Sequence, residues 1–233
     1  PTVSTAEHAL ALIFAITKGL KTSERRLHSQ EGNYAAAHDA LELEGASLTL
    51  IGLGRIGSRV ASVAIASGMR VCAYDPFESD QRFEELGVGR ASNLAEAVSD
   101  AQIVSVHAPL TEQTRHLVGA ELIDLMADGV FIVNTARGGL VDDSALLDAL
   151  NTGKVRAVGL DVTDPEPLPS GHPLLERDDV LVTPHVASAT GEGRKRIFTM
   201  AIDQVLTGLS GVKPSHILNP EVWPGRGSAQ AAT

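Results

Sequence analysis

The chain has 233 residues, which is enough to bury a sizeable core, and only 3% of them are aromatic. Its 29 acidic and 19 basic residues leave a formal net charge of −10, which argues against a nucleic-acid partner, since such a surface is basic. The single cysteine excludes an intramolecular disulfide, and no apolar run is long enough to span a bilayer. We therefore expect a cytoplasmic protein with no membrane partner.

The first part of the chain is predicted to form a helix and then a surface segment. Ser4 and Glu7 have the spacing of a capping box, and alanine and leucine dominate the run that follows, which predicts a leading helix over 4–20. Residues 21–44 are polar and irregular, so we expect a surface segment with some helix.

From residue 47 onward, short apolar runs alternate with helical patterns. Strands are predicted at 48–51, 70–74, near 88, and at 103–106, 130–133, 157–160 and 180–182. Helices are predicted at 56–67, 79–86, 93–98, within 114–126, from 142 or 143 to 150, and at 191–209.

This alternation predicts an α/β fold: a Rossmann-type, doubly wound parallel sheet in a three-layer α/β/α arrangement. We assign residues 1–211 to a dinucleotide-binding domain, with 4–20 as its leading helix and 47–190 as its core. Residues 212–233 form a C-terminal segment, and its end, 225–233, is rich in Gly, Ser and Ala and expected to be disordered.

A glycine-rich motif, Gly52-Leu-Gly54-Arg-Ile-Gly57, lies between the first predicted strand and the helix after it. In a dinucleotide-binding loop, the first glycine permits a tight turn, the second lets the backbone approach a pyrophosphate, and the third packs helix on strand. Asp75 ends the second strand, where a carboxylate binds the ribose hydroxyls of NAD and repels the 2′-phosphate of NADP. A strand-end cap is the alternative role for Asp75, and solvent exposure is the alternative for Arg55.

Polar stretches follow the last three predicted strands, at the sheet edge where α/β proteins bind ligands. Arg137 carries a guanidinium that can hold a carboxylate by two hydrogen bonds, and the glycines after it leave room for a planar ligand. His185 is suited to protonate the alkoxide that hydride transfer creates, and Glu166 to orient it. Taken singly, a surface arginine, a strand-end histidine and a solvated acid are the alternatives.

Two further strand ends carry Asp161 and His107. Asp161 can accept a hydrogen bond from the nicotinamide carboxamide, and His107 can line the nicotinamide ribose; structural capping is the alternative for both. The other histidines, His8 among them, show no usable pattern, and no histidine–cysteine cluster indicates a metal.

Together these motifs resemble those of the D-isomer-specific 2-hydroxyacid dehydrogenase family, in matching order over about 47–190. The matching stretches are Gly52–Gly57, Asp75-Pro, His107-Ala-Pro109-Leu-Thr, Asn134-Thr-Ala-Arg-Gly-Gly, Gly159-Leu-Asp-Val with Glu166-Pro, and Thr183-Pro-His-Val-Ala. The resemblance implies an NAD-dependent oxidoreductase that interconverts a 2-oxo acid and a D-2-hydroxy acid. Arg137 would bind the substrate carboxylate, and His185 would be the acid/base with Glu166 as its partner.

The resemblance also implies which residues contact NAD, and it implies a homodimer. The NAD contacts would come from Gly52, Gly54, Arg55, Ile56, Gly57, Asp75, His107, Pro109, Thr135, Ala136, Arg137, Asp161, His185 and Ser188. Family members typically have an N-terminal substrate domain, and we expect this chain to start after it, which leaves the substrate open. A corepressor-like NAD-binding module, and an NAD-binding chain without turnover, are the alternatives.

Overall fold

A computed structural model describes residues 2–29, 33, 35–36 and 38–223; the predicted disordered tail at 225–233 lies outside them. In the described parts, parallel strands form one seven-stranded sheet in the order β3-β2-β1-β4-β5-β6-β7. The strands are β1 Ser47–Ile51, β2 Arg70–Tyr74, β3 Gly89–Arg90, β4 Ile103–Val106, β5 Val130–Asn134, β6 Val155–Leu160 and β7 Val180–Val182. The α-helices are α1 Thr2–Thr17, α2 Leu20–Ser29, α3 Arg55–Ala66, α4 Asp80–Leu86, α5 Leu94–Ser99, α6 Ala120–Leu125, α7 Asp143–Thr152, α8 Pro173–Glu176 and α9 Gly191–Leu209.

The order of the strands confirms the predicted Rossmann-type fold. From β1 the chain builds outward through β2 and β3, then crosses to the other side of β1 and builds outward again from β4 to β7. The direction of winding reverses between β1 and β4, and ligands bind at such a reversal, outside the carboxyl ends of the strands.

Two buried clusters lie on the two faces of the sheet and complete the three layers. One cluster joins the sheet to α1, α3 and α4, and the other joins it to α5, α6, α7 and α8. Successive residues of β5 alternate between them: Phe131 and Val133 belong to the first, Val130 and Ile132 to the second. A strand covered on both faces is apolar throughout, which explains the continuous apolar runs in the sequence.

The first helix differs from the prediction at both ends. It begins at Thr2, and Ser4 is a buried residue inside it, so the capping-box interpretation is wrong. It ends at Thr17 because Gly19 adopts a left-handed backbone, φ 58°, and α2 then starts at Leu20. Packing of the apolar face of α1 on the sheet sets its extent more strongly than the local capping pattern.

The chain divides into two compact units, Thr2–Ser188 and the part from Ala189 onward. In the second unit α9 spans Gly191–Leu209, as predicted, and its N-cap Thr190 accepts a hydrogen bond from the Gly193 amide. This division precedes the predicted boundary at 211, and the assignment of 191–211 to the dinucleotide-binding domain stays a prediction. No helix in the described residues has the length and apolar character needed to cross a membrane.

Candidate active site

The three glycines of the motif occupy different surroundings. Gly52 has a φ of 104°, and a Cβ added there would lie 2.9 Å from the His107 carbonyl carbon. A Cβ at Gly57 would overlap the carbonyl oxygen of Gly52. At Gly54 an added Cβ would meet nothing within 4 Å. Internal packing therefore requires Gly52 and Gly57, whereas the bare backbone at Gly54 faces open space, as a loop that admits a phosphate should.

The helix that follows this loop is open at its N-terminus. Gly54 is the N-cap of α3 and has no side chain to accept hydrogen bonds from the first-turn amides, which belong to Arg55, Ile56 and Gly57. Free amides at the positive end of a helix dipole bind anions. The loop and the helix thus fit the pyrophosphate of a dinucleotide.

Asp75 follows β2 and ties it to the glycine loop. Its Oδ2 accepts a hydrogen bond from the Leu53 amide at 2.8 Å, and its Oδ1 accepts one from the Phe77 amide at 2.9 Å. The capping role considered from the sequence is therefore present. Each oxygen has a second lone pair, so the carboxylate also keeps the capacity to accept from a ribose.

His107 follows β4 and is half-buried beside the glycine loop. Its Nε2 lies 3.0 Å from the Ser105 hydroxyl. Desolvation lowers the pKa of His107 from 6.5 to about 4, so the ring is neutral near pH 7. Two residues on, Pro109 is exposed, and its carbonyl accepts a hydrogen bond from the Thr114 hydroxyl at 2.7 Å.

Asn134, the last residue of β5, shapes the turn that presents Arg137. Its side chain is fully buried; Oδ1 accepts from the Ala136 amide at 2.9 Å, and Nδ2 donates to the Arg137 carbonyl at 2.8 Å. The sequence motif that begins at Asn134 predicts no role for this residue itself; the available signal was an asparagine closing a buried strand, since asparagine side chains organise turns. Thr135 is also buried, and its hydroxyl has no partner among the described residues.

Arg137 is exposed, and its guanidinium contacts the carbonyl oxygen of its own neighbour, Ala136, at 2.6 Å. Among the described residues no carboxylate forms an ion pair with it, so its charge is available to an anionic ligand. The prediction that the two glycines after Arg137 leave room for a ligand is wrong for the first of them, Gly138. A Cβ there would overlap the backbone of Thr163, so this glycine serves the packing of one loop on another.

Glu166 and His185 form a direct pair. Glu166 Oε1 and His185 Nδ1 are 2.6 Å apart, and both side chains are close to half exposed. Because Nδ1 is engaged, Nε2 is the ring atom left for exchange of a proton with a ligand. The two residues come from the loops after β6 and β7. In the sheet, β6 is next to β5, whose end carries the Arg137 turn, and β7 is next to β6.

Asp161 organises the loop that carries His185. This fully buried carboxylate accepts hydrogen bonds at Oδ1 from the Thr183 hydroxyl (2.6 Å) and the Val186 amide (2.9 Å), and at Oδ2 from the Ala187 amide (2.8 Å). Asp161 therefore has the structural capping role considered from the sequence. One lone pair of Oδ2 has no hydrogen bond among the described residues and can accept one from a ligand. Its contact with nicotinamide remains a prediction.

His8 joins the same cluster from α1, although its sequence position gave no signal beyond a polar residue on an apolar helix. Its Nε2 lies 2.9 Å from the Thr183 hydroxyl and 3.4 Å from Asp161 Oδ1. Ser188, by contrast, is half-buried at the end of the first compact unit, and among the described residues no side-chain hydrogen bond joins it to the cluster. No group of three or more His, Cys, Asp or Glu in the described residues is placed to hold a metal ion.

Residues 10–187 match the family described as "D-isomer specific 2-hydroxyacid dehydrogenase, NAD binding domain". The chain belongs to this family. Its cofactor is NAD, and the open glycine loop on α3 fits that cofactor's phosphates.

Other family members resemble the chain over most of its length. It is 37% identical over 225 residues to D-3-phosphoglycerate dehydrogenase of Archaeoglobus fulgidus, covering 96% of this chain and 42% of the relative. It is 37% identical to glyoxylate reductase of Aeropyrum pernix, covering 95% of this chain and 68% of that one.

Among solved structures, D-lactate dehydrogenase from Aquifex aeolicus complexed with NAD and lactic acid has a TM-score of 0.81 and 34% identity. The match covers 91% of this chain and 67% of that one. The chain thus spans about two-fifths of the phosphoglycerate dehydrogenases that it matches and about two-thirds of the other two relatives.

Proposed function

We propose that the chain is the NAD-binding part of an oxidoreductase that interconverts a 2-oxo acid and a D-2-hydroxy acid. The observation that carries the proposal is the 2.6 Å pair of His185 and Glu166, on the same sheet edge as the glycine loop and Arg137, which has no ion pair among the described residues. The relatives support the substrate class, since their names specify phosphoglycerate, glyoxylate and lactate as substrates.

In the proposed reaction each residue has one task. The Arg137 guanidinium binds the substrate carboxylate by two hydrogen bonds and orients the carbonyl. NADH, when bound, supplies the hydride. His185 Nε2 donates a proton to the carbonyl oxygen as negative charge develops there, and in the reverse direction it accepts that proton. Glu166 accepts from Nδ1 and stabilises the positively charged ring.

We expect the NAD contacts to lie at the same edge of the sheet, outside the carboxyl ends of the strands. The phosphates would bind the loop and the first turn of α3, and the adenosine ribose would bind Asp75. The nicotinamide half would lie against the carboxyl ends of β4 to β7. The residues that we propose there are His107, Pro109, Thr135, Ala136, Arg137, Asp161, His185 and Ser188.

The test is a steady-state assay of NADH oxidation by the protein as it is encoded in its genome, with glyoxylate, pyruvate and phosphohydroxypyruvate. We expect turnover with at least one acid, and a loss of about 10²–10⁴-fold in kcat/KM for His185→Ala and for Arg137→Ala. Arg26→Ala, on α2, is the matched arginine control and should keep the activity. Near-normal turnover in His185→Ala or Arg137→Ala would contradict the assignment.

A corepressor-like NAD-binding module is the second candidate, because such a module can keep the same fold and even the same catalytic residues. Calorimetry with NAD beside the activity assay separates the two. Binding with turnover supports the dehydrogenase, whereas binding by the encoded protein without turnover of any 2-oxo acid supports the regulatory module.

We also propose a homodimer in the cytoplasm. The single cysteine suits a reducing compartment, and the resemblance implies pairing of nucleotide domains through the first helix. Light scattering coupled to size-exclusion chromatography should give twice the monomer mass, and a monomer at micromolar concentration would contradict the dimer.

A further inference from the structure

A run of hydrogen bonds leads from α1 to the loop of His185. His8 Nε2 is 2.9 Å from Thr183 Oγ1, and Thr183 Oγ1 is 2.6 Å from Asp161 Oδ1. Asp161 then accepts from three backbone amides: His185 at its carbonyl oxygen (2.7 Å), Val186 at Oδ1 (2.9 Å) and Ala187 at Oδ2 (2.8 Å). One carboxylate residue thereby holds three consecutive amides of this loop.

The direction of each bond follows from the inventory of donors. An ionised carboxylate only accepts, so the Thr183 hydroxyl gives its single proton to Asp161 at the short distance of 2.6 Å. The Thr183 oxygen must then accept from its other neighbour. His8 is therefore the donor, and its proton lies on Nε2.

The loop needs such support because His185 has an unusual backbone. Its φ is 53°, in the left-handed region that residues with a side chain seldom adopt. Such a conformation persists only where the surroundings hold it. The Asp161 carbonyl and carboxylate supply that support, and the Thr183 hydroxyl and His8 hold the carboxylate in turn.

We infer that His8 is a positioning residue for the acid/base His185, acting through Thr183 and Asp161. The inference rests on the proposed function for the role of His185, but the contact itself can be tested without it. In this role His8 fixes the Asp161 carboxylate, and the carboxylate fixes the loop.

The first test measures structure in solution. In ¹⁵N-histidine NMR spectra, His8 should show the Nε2–H tautomer, because Nε2 faces the Thr183 hydroxyl at 2.9 Å and Asp161 Oδ1 at 3.4 Å, and Thr183→Val should shift the Nε2 resonance of His8. Amide hydrogen exchange at 185–187 should accelerate at least tenfold in Thr183→Val and in His8→Leu. Thr183→Ser keeps the hydroxyl, and His8→Gln keeps an N–H donor at similar reach, so both should stay near the wild-type rate. His28→Leu, a matched change at an exposed histidine of α2, should leave exchange at 185–187 unchanged.

The second test measures turnover in the same variants. A positioning role predicts that His8→Leu lowers kcat about tenfold while KM for the 2-oxo acid and Kd for NAD change less than twofold, with His8→Gln restoring most of kcat. Unchanged amide exchange at 185–187 in both His8→Leu and Thr183→Val would overturn the inference. A wild-type protein without any turnover would instead overturn the proposed function, and the exchange rates alone would then decide whether His8 holds the loop. If His8→Leu fails to fold, amide exchange at 185–187 in the near-isosteric Thr183→Val variant decides whether the inference holds.

Discussion

Gly54 and Gly57 stand three residues apart in one loop, yet an added methyl group would meet open space at the first and a carbonyl oxygen at the second. We expect Gly57→Ala to lower the free energy of unfolding by about 1–3 kcal/mol, because the helix or the loop must move. Gly54→Ala should leave that free energy within about 0.5 kcal/mol and weaken NAD binding, because the methyl group occupies the space of a phosphate. Chemical denaturation and calorimetry check both; equal losses of stability would contradict the distinction.

His107 makes stability depend on pH. Its pKa is about 4 in the folded chain against 6.5 for an ordinary histidine, so between these values the unfolded chain binds a proton that the folded chain does not. Stability should therefore fall as the pH drops from 6.5 to 4, by about 2–3 kcal/mol from this residue. His107→Gln cannot titrate and isolates the effect: its unfolding free energy should decline less than that of the wild type over this range. Parallel declines in the two proteins would refute the role of His107.

At the scale of elements, the close packing of α1 on β6 depends on Gly159. A Cβ there would lie 3.0 Å from Leu12 Cβ, which is tighter than an ordinary van der Waals contact. Gly159→Val should push α1 outward and cost about 1–3 kcal/mol of stability. The same displacement should lengthen the contact of His8 with Thr183, so amide exchange at 185–187 should accelerate too. Gly153→Ala, at a helix end with nothing within 4 Å, is the control for added bulk, although its left-handed φ of 78° carries its own cost.

The strands and most helices could be predicted because local patterns decide them: β5 is apolar throughout and lies covered on both faces, and α9 begins and ends where predicted. The start of α1 could not be predicted, because packing of the helix on the sheet outweighs the capping-box pattern at Ser4. The position of Arg137, Glu166 and His185 at one edge of the sheet was also predictable, since each follows a strand in a sheet whose strands run parallel. His8 and Gly138 could not be placed, because their partners are distant in sequence and come together only in the folded chain.

At the scale of the whole molecule, the balance of charge favours the cofactor with fewer phosphates. The chain carries a net charge of −10, and Asp75 stands at the end of β2, where an adenosine ribose would lie. We expect NAD to bind at least about tenfold more tightly than NADP, because a 2′-phosphate would meet this carboxylate. Calorimetry in low and high salt measures the difference in affinity between NAD and NADP, and Asp75→Ser should make that difference smaller. Tighter binding of NADP would contradict the role given to Asp75.

Position 185 must satisfy two requirements, a left-handed backbone and an acid/base side chain, and different amino acids satisfy each of them. Its left-handed backbone admits glycine and asparagine with little penalty and disfavours valine and isoleucine, whatever their chemistry. A library of all substitutions at this position, sorted for folded protein, should therefore retain glycine, asparagine and aspartate beside histidine. The same library sorted for growth that requires the enzyme should retain histidine alone. Drift among relatives that have lost catalysis would then lead from histidine toward asparagine or glycine, and such a residue before Val186 would mark a domain that binds NAD without turning over a substrate.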